Sequence, residues 1–299
     1  MPEGSIQYLP KKSLLTFEEI ERLLLILADL GISKVRFTGG EPFVRNDLMQ
    51  LIRRTAAIQG IKDIHLTTNG VLTAPHIPEL KELNIASVNL SLDTLDKKRF
   101  FEITQRDEFD KTFDTLVLLQ KFAIPVKINA VVMDGKNTQD IIALAELTRD
   151  QNVDVRFIEE MPFNGKGLAP APPVWNHRKI LSHLNEHFGT LIKLDDAPHS
   201  TSNGYRIPGY KGSLGIIAAY SRTFCGTCNR IRITPQGMLK TCLYDGGALN
   251  LKELMRAGQN DAALRDALLK AFASRAKDGF EAENRNSVRA FESMSSIGG

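Results

Sequence analysis

Cys225, Cys228 and Cys242 lie in the stretch FCGTCNRIRITPQGMLKTC and are the only cysteines among 299 residues. Two share a C-x2-C turn, and the third comes after thirteen intervening residues. Thiolates are soft ligands, and a C-x2-C turn presents two of them to one metal centre. A structural zinc site closes its tetrahedron with four protein ligands. Here no histidine follows Cys242, and the nearest earlier one is His199. Three thiolates without a fourth donor predict a centre with one open position, such as an iron–sulfur cluster with one iron free. Two plainer readings stay open: a zinc knuckle with a distant fourth ligand, and three unrelated buried thiols. Arg230 and Arg232 stand just behind the turn. Fixed positive charge beside a soft metal suits an anionic substrate bearing nitrogen or oxygen donors.

The elements that must position these residues read as an alternation. Thr16 and Glu19 form a capping box ahead of EEIERLLLILADL, with Leu15 able to staple onto Ile20, and Gly31 ends that helix. KVRFTGG follows as a short strand and tight turn. Asn46 is placed to cap a helix over DLMQLIRRTAAIQ that ends at Gly60. DIHLTTNG, ASVNLSLD, PVKINAVVMDG and VDVRFIEEM read as further strands. HIPELKELN, KTFDTLVLLQKFA and TQDIIALAELTRDQ read as the helices between them. Helices alternating with short strands imply parallel strands joined by right-handed crossovers, hence an open sheet or a (β/α) barrel. No G-x-G-x-x-G follows any strand, which argues against a dinucleotide-binding sheet. NGKGLAPAPPVW reads as a loop and HRKILSHLNEHF as a helix. The polar stretch DDAPHSTSNGYRIPGYKGS marks a boundary, dividing the chain into residues 1–210 and 211–299. Beyond it GIIAAY, IRITP and MLKTCL are short strands around the cysteine turn. LKELMRAG and DAALRDALLKAFASRA are helical, and the tail is polar and ends in Gly298-Gly299.

Hydrophobic residues make up 42% and charged residues 24% of the chain, as in a globular protein. A net charge of +3, from 38 basic and 35 acidic residues, is too small to argue for a nucleic-acid partner. The longest apolar run, Leu23 to Ala28, is too short to span a bilayer, and no secretory signal opens the chain. An odd cysteine count does not read as a secreted disulfide framework, so the expected location is the cytoplasm.

In a parallel barrel the chemistry sits at the carboxyl ends of the strands. Those ends carry Gly39, Gly40 and Glu41; Thr67, Thr68 and Asn69; Ser91 and Asp93; Asn129; and Glu159 and Met161. Lys34, Arg36, Lys127 and Arg156 alternate with apolar neighbours inside strands. One such residue is ordinarily a solvated edge residue. Several on successive strands form a ring of cations that needs polyanions such as phosphates. Met161 by type alone reads as core, and the six histidines are assigned no role.

RFTGGEPFVRNDL, LTTNG, NLSLD, VKINAVV, RFIEEMPF, FCGTCNRIRITPQGMLKTCL and the terminal GG together resemble, in order, the radical S-adenosylmethionine GTP 3′,8-cyclases, which open molybdenum-cofactor biosynthesis. The resemblance implies an α/β fold: an incomplete parallel (β/α)6 TIM-like barrel over residues 1–210, lacking its first strand, then a C-terminal cluster-binding extension over 211–299. Cys225, Cys228 and Cys242 match the ligands of a [4Fe–4S] cluster whose open iron binds guanine. Arg230, Ile231 and Arg232 match the GTP-contacting run. Arg36, Thr67 and Lys127 match further GTP positions, with Lys34 and Arg156 as basic neighbours. Arg230, Arg232 and Lys127 form the expected catalytic group, and Gly40, Ser91 and Met161 match S-adenosylmethionine contacts. The GG tail is expected to reach toward the active site by close backbone approach.

The family binds a first [4Fe–4S] cluster through a C-x3-C-x2-C loop followed directly by MPEG, the residues with which this sequence starts. The resemblance therefore implies a shortened form without that loop, its cysteines, the first strand and an upstream substrate arginine. Such a form is expected not to cleave S-adenosylmethionine and to expose a sheet edge; the second [4Fe–4S] cluster is expected only in a full-length form. GTP is the implied ligand, and a cyclic pyranopterin monophosphate synthase the implied next enzyme. The resemblance admits a homodimer and implies neither a nucleic-acid nor a membrane partner. Three functions follow: GTP cyclisation by the complete protein, a non-catalytic GTP-binding iron–sulfur protein, and a zinc-dependent nucleic-acid module, the last opposed by charge and by the missing fourth ligand.

Overall fold

The computed structural model describes residues 9–161 and 172–285. The opening MPEG, most of the NGKGLAPAPPVW loop and the Gly298-Gly299 tail lie outside the described residues. The capping box at Thr16 is formed: its side chain accepts from the Glu19 N–H, and the Glu19 carboxylate accepts in return from the Thr16 N–H. It starts α1 (Phe17–Asp29), which leads into β1 (Lys34–Phe37). Alternation continues through α2 (Leu48–Ala56), β2 (Asp63–Thr68), α3 (Ile77–Glu82), β3 (Ser87–Ser91), α4 (Lys97–Thr104), α5 (Phe109–Lys121), β4 (Val126–Val132), α6 (Asp140–Glu146), β5 (Asp154–Glu159) and α7 (His177–Phe188). Then come β6 (Ile192–Lys193), β7 (Asn203–Arg206) and β8 (Ser213–Ile217). These strands form one open sheet in the order β1-β2-β3-β4-β5-β8-β7-β6. β1 to β5 and β8 are mutually parallel, while β7 and β6 run antiparallel at one edge. At the other edge β1 bonds only β2 among the described residues. The sheet runs past residue 210, since β8 pairs in register with β5.

Parallel sheets are ordinarily apolar on both faces. Here one face is apolar: Leu66, Val88, Leu90, Ile128, Val155, Phe157, Leu214 and Ile216 are almost wholly buried and form the main core with the covering helices. Alternate residues point to the other face, and these are Arg36, His65, Thr67, Asn89, Lys127, Asn129, Asp154 and Arg156. That second face is polar along β1 to β5.

The C-terminal part adds a small antiparallel sheet of β9 (Arg232–Ile233), β10 (Met238–Lys240) and β11 (Leu249–Asn250), then α8 (Leu251–Arg256), α9 (Asp261–Ala273) and α10 (Gly279–Arg285). Leu239, Leu251, Met255, Leu264 and Leu268 pack with Leu15, Leu23, Ile26 and Leu27 into a second core. Polar bonds reinforce this return to α1: Arg256 bridges Glu19 at 2.7 Å and donates to the carbonyls of Lys12 and Leu14. Helix α1 is thereby held to the C-terminal elements.

Three details depart from the sequence reading. Asp47, not Asn46, precedes α2; its left-handed backbone (φ 61°) turns the carboxylate from the helix amides, and it makes no side-chain cap. Helix α4, capped by Asp96 onto the Arg99 N–H, and helix α10 both form in segments whose sequence shows no strong period. The polar boundary stretch contributes β7 to the sheet.

Candidate active site

Each polar position of the inward face is set by strand register. Thr67, Asn89 and Lys127 share one row across β2, β3 and β4. Ser91, Asn129 and Arg156 share another across β3, β4 and β5. Arg36 stands opposite His65 on β1 and reaches Thr67 Oγ1 at 3.5 Å, at the limit of a hydrogen bond. Arg156 pairs with Asp154 at 2.6 Å, and Asp154 lies in register with Lys127.

The C-terminal arginines join this group. Burial lowers the proton affinity of Arg36 to about 10, and repulsion from Arg230, Arg156 and Arg232 adds to it. Lys127 is likewise lowered by burial and by Arg156 and Arg36. Burial lowers Arg230 and Arg232, with Arg156 repelling the first and Arg230 the second. Arg36 and Arg230 keep solvent contact, so the cationic cluster is reachable. Arg230 also donates to Thr201 Oγ1 at 3.1 Å. Five expected site residues therefore act on one another across two parts of the chain. Lys34 stands apart: its side chain is 71% exposed and pairs with Asp63 at 3.3 Å. The Ile231 side chain packs against the second core, so it anchors the segment between its two arginine neighbours.

Gly40 lies in the turn after β1, Ser91 ends β3, and Met161 follows β5; all three are at the carboxyl edge. Met161 packs with Cys242, Leu243, Tyr244 and Ala282. Glu41 carries the TGGEP turn. Its carboxylate accepts from Thr68 Oγ1 at 2.9 Å, the Asn69 N–H at 2.8 Å and the Phe43 N–H at 3.2 Å, tying the β1 and β2 loops together. Burial raises its proton affinity. Gly70 has φ +84°, and a Cβ there would stand 2.8 Å from Leu90, so only glycine lets the β2 turn close onto α5. Burial also raises Asp93, after β3, to about 6 while its carboxylate accepts from the Val131 N–H.

The three thiols are half-buried; burial raises the proton affinity of Cys225 and Cys242, with Cys242 and Cys228 adding to the first and Asp245 and Cys228 to the second. Among the described residues no three histidine, cysteine or acidic side chains stand close enough to hold a single ion. The Gly279 amide donates to the Cys225 sulfur and the Tyr244 amide to the Cys242 sulfur, bonds of the kind that tune iron–sulfur centres. A Cβ on Gly279 would lie 3.2 Å from Cys225 Sγ. Asp245 fixes the Cys242 turn by accepting from the N–H groups of Thr241, Cys242 and Gly247. The donor set and its surroundings fit an iron–sulfur group.

Sequence reasoning missed two residues here. Arg222 is buried with a left-handed backbone (φ 56°), its guanidinium between the rings of Tyr244 and Phe280, 3.6 and 4.5 Å from their centroids. It pairs with Glu283 at 2.8 Å and donates to the Gly279 carbonyl at 3.0 Å, so it holds the backbone that meets Cys225. Its partners arrive from α10, which no local pattern announces. Asn89 is the other. His177, given no role from its spacing, bonds Glu159, and His65 bonds Ser87 Oγ at 2.8 Å.

Residues 3–148 match the Radical SAM superfamily and residues 153–280 match Molybdenum Cofactor Synthesis C. Among solved structures, Streptococcus suis SuiB bound to S-adenosylmethionine superposes with a TM-score of 0.59 at 17% identity, covering 84% of this chain and 61% of that one. The fold, with chemistry-bearing residues at its carboxyl edge, is that of a radical SAM protein. The GTP 3′,8-cyclase of Chlorobaculum tepidum is 35% identical over 283 residues, covering 94% of this chain and 84% of that protein. The mitochondrial GTP 3′,8-cyclase of Arabidopsis thaliana is 36% identical over 277 residues, covering 90% and 69%. This chain belongs to the GTP 3′,8-cyclase family. It spans 45% of another relative, the molybdenum cofactor biosynthesis protein moc-5 of Caenorhabditis elegans, at 36% identity over 272 residues. Among the described residues no helix is long and apolar enough to cross a membrane.

Proposed function

We propose that the cationic inward face binds the triphosphate of GTP and that Cys225, Cys228 and Cys242 hold a [4Fe–4S] cluster beside it. The whole protein's activity is then cyclisation of GTP to (8S)-3′,8-cyclo-7,8-dihydroguanosine 5′-triphosphate. The observation that carries this reading is the mutual repulsion of Arg36, Lys127, Arg156, Arg230 and Arg232 next to three thiols. A polyanion among these cations would relieve that repulsion. When bound, the cluster supplies an iron vertex for the base and S-adenosylmethionine supplies the hydrogen-abstracting power. Arg36, Lys127 and Arg156 bind phosphate from the strands, while Arg230 and Arg232 orient the nucleotide between the strands and the thiols. In this reading Gly40, Ser91 and Met161, at the carboxyl edge, hold S-adenosylmethionine.

Direct titration of the anaerobically reconstituted chain with GTP tests this. Arg230→Ala with Arg232→Ala is expected to weaken binding at least about 100-fold, since each charge-assisted bond contributes roughly 1.5–3 kcal/mol. Unchanged affinity would defeat the proposal. The 299 residues contain three cysteines, a ligand set for one cluster. The second reading, GTP binding without turnover by this chain alone, rests on that count. Cyclised product from a sample of this sequence with S-adenosylmethionine and a reductant would defeat that second reading.

A further inference from the structure

Asn89 Oδ1 and Asn129 Oδ1 are buried and accept no hydrogen bond; Arg222 Nε is the one other such side-chain atom among the described residues. Leaving a buried amide oxygen unpaired costs about 1–3 kcal/mol, and native proteins leave few. These two lie on adjacent strands and on the same face. Asn89, only 8% exposed, sits in register between Thr67 and Lys127. Asn129 sits in register between Ser91 and Arg156. Their sequence neighbours Val88, Leu90, Ile128 and Ala130 point the other way, into the main core. Both amides are therefore aimed at the space that the cations line.

The chemistry of the missing partner follows from the amide. Ionised phosphate oxygens only accept, so they cannot satisfy an acceptor. The donors a nucleoside triphosphate offers are its sugar hydroxyls and the N–H groups of its base. Adjacent strands lie roughly 4.8 Å apart, so each asparagine stands one strand from a cation, Lys127 for Asn89 and Arg156 for Asn129. The sugar is joined directly to the triphosphate, whereas the base lies at the thiol end. A hydroxyl also satisfies the amide in either orientation, because it both donates and accepts. We infer that Asn89 and Asn129 hold the ribose hydroxyls of the bound nucleotide and make this site a reader of ribose against deoxyribose. The inference rests on the GTP reading above. It assigns the sugar to Asn129, between the proposed S-adenosylmethionine residue Ser91 and Arg156, and to Asn89, between Thr67 and Lys127.

The test is equilibrium binding of GTP, 2′-deoxy-GTP, 3′-deoxy-GTP and ITP to the anaerobically reconstituted full chain and to its Asn89→Ala and Asn129→Ala variants. The unsubstituted chain is expected to bind GTP roughly tenfold more tightly than at least one deoxy analogue. In the variants that ratio should fall to within about twofold, with ITP discrimination unchanged. Asn129→Ser and thermal melts serve as the folding control; should Asn89→Ala fail to fold, the Asn129 ratios decide. Variants that keep the full ribose preference, or that lose discrimination against ITP instead, overturn the sugar assignment. GTP bound tightly with no preference between sugars overturns it too. No nucleotide binding by the unsubstituted chain would instead defeat the GTP reading itself.

Discussion

Glu159 ends β5 with its side chain fully buried, where an ionised carboxylate persists only among donors. It has four: the His177 N–H at 2.6 Å, His177 Nδ1 at 2.8 Å, the Ser221 N–H at 2.7 Å and Ser221 Oγ at 2.8 Å. Burial alone would push its proton affinity up; the bonds from Ser221 and His177 outweigh burial and hold it below the usual 4.5. A depressed carboxylate adds stability at pH values above its unfolded value, and that stability is lost as pH falls through the folded one. Glu159→Gln should therefore destabilise the protein by about 2–4 kcal/mol at neutral pH, with the difference shrinking below pH 4.5. Urea midpoints across that range check this; a difference independent of pH would refute it. The two bonded residues open α7 and follow β8, so this carboxylate sets the carboxyl edge beside Met161. Its position at a strand end was legible from the sequence. Its partners, 18 and 62 residues away, were not.

Helices α1, α8 and α9 place the C-terminal arginines. Ile231 packs into their shared core between Arg230 and Arg232, so loosening that core should loosen the guanidinium groups. Leu264→Ala removes a wholly buried side chain there and should cost about 2–5 kcal/mol. Leu116→Ala, in the main core, should cost a similar amount. Only the first should also weaken GTP binding, by an expected severalfold, as read by titration below the melting transition; equal affinities in both variants would disconnect α9 from the site. Much of this scaffold could be read in advance. The capping box, the alternation of helix and strand and the cations inside strands are local patterns with fixed periods. The cysteine spacing likewise put Cys225 and Cys228 in one turn, beside the segment that carries Arg230 and Arg232. Asn89 was missed because its alternation with Ser87 and Ser91 reads as an ordinary strand face, and only register shows Thr67 and Lys127 beside it. Arg222 was missed because Tyr244, Phe280 and Glu283 reach it through the tertiary fold alone. Strand β7 was hidden because its partner, β8, supplies the pattern that its own polar sequence lacks.

Across the whole molecule a net charge of only +3 conceals a concentration of cations on one face of the sheet. Arg36 shows its effect most clearly. Its hydrogen bonds, to the Leu66 carbonyl and Thr67 Oγ1, are long at 3.4 and 3.5 Å. Burial and three other arginines lower its proton affinity to about 10. A base lowered on folding opposes the folded state while protonated; that penalty is complete below about pH 10 and is relieved only as pH rises toward the unfolded value. At neutral pH Arg36 therefore lowers ligand-free stability, and the proposed polyanion would relieve that penalty. Arg36→Met keeps the stem and removes the charge. In low salt, without nucleotide, the variant should melt about 1–3 °C above the unsubstituted chain. Added salt should narrow that gap, because screening relieves repulsion that only the unsubstituted chain retains in full. The rise in melting temperature on adding GTP should be smaller in the variant at every salt concentration, since bound ligand stabilises in proportion to its affinity. Thermal melts in a grid of salt and nucleotide measure all three effects. A variant that melts lower than the unsubstituted chain in low salt and without ligand would show that Arg36 is held by favourable local bonds, and that the inward face does not store repulsion for a polyanion to relieve.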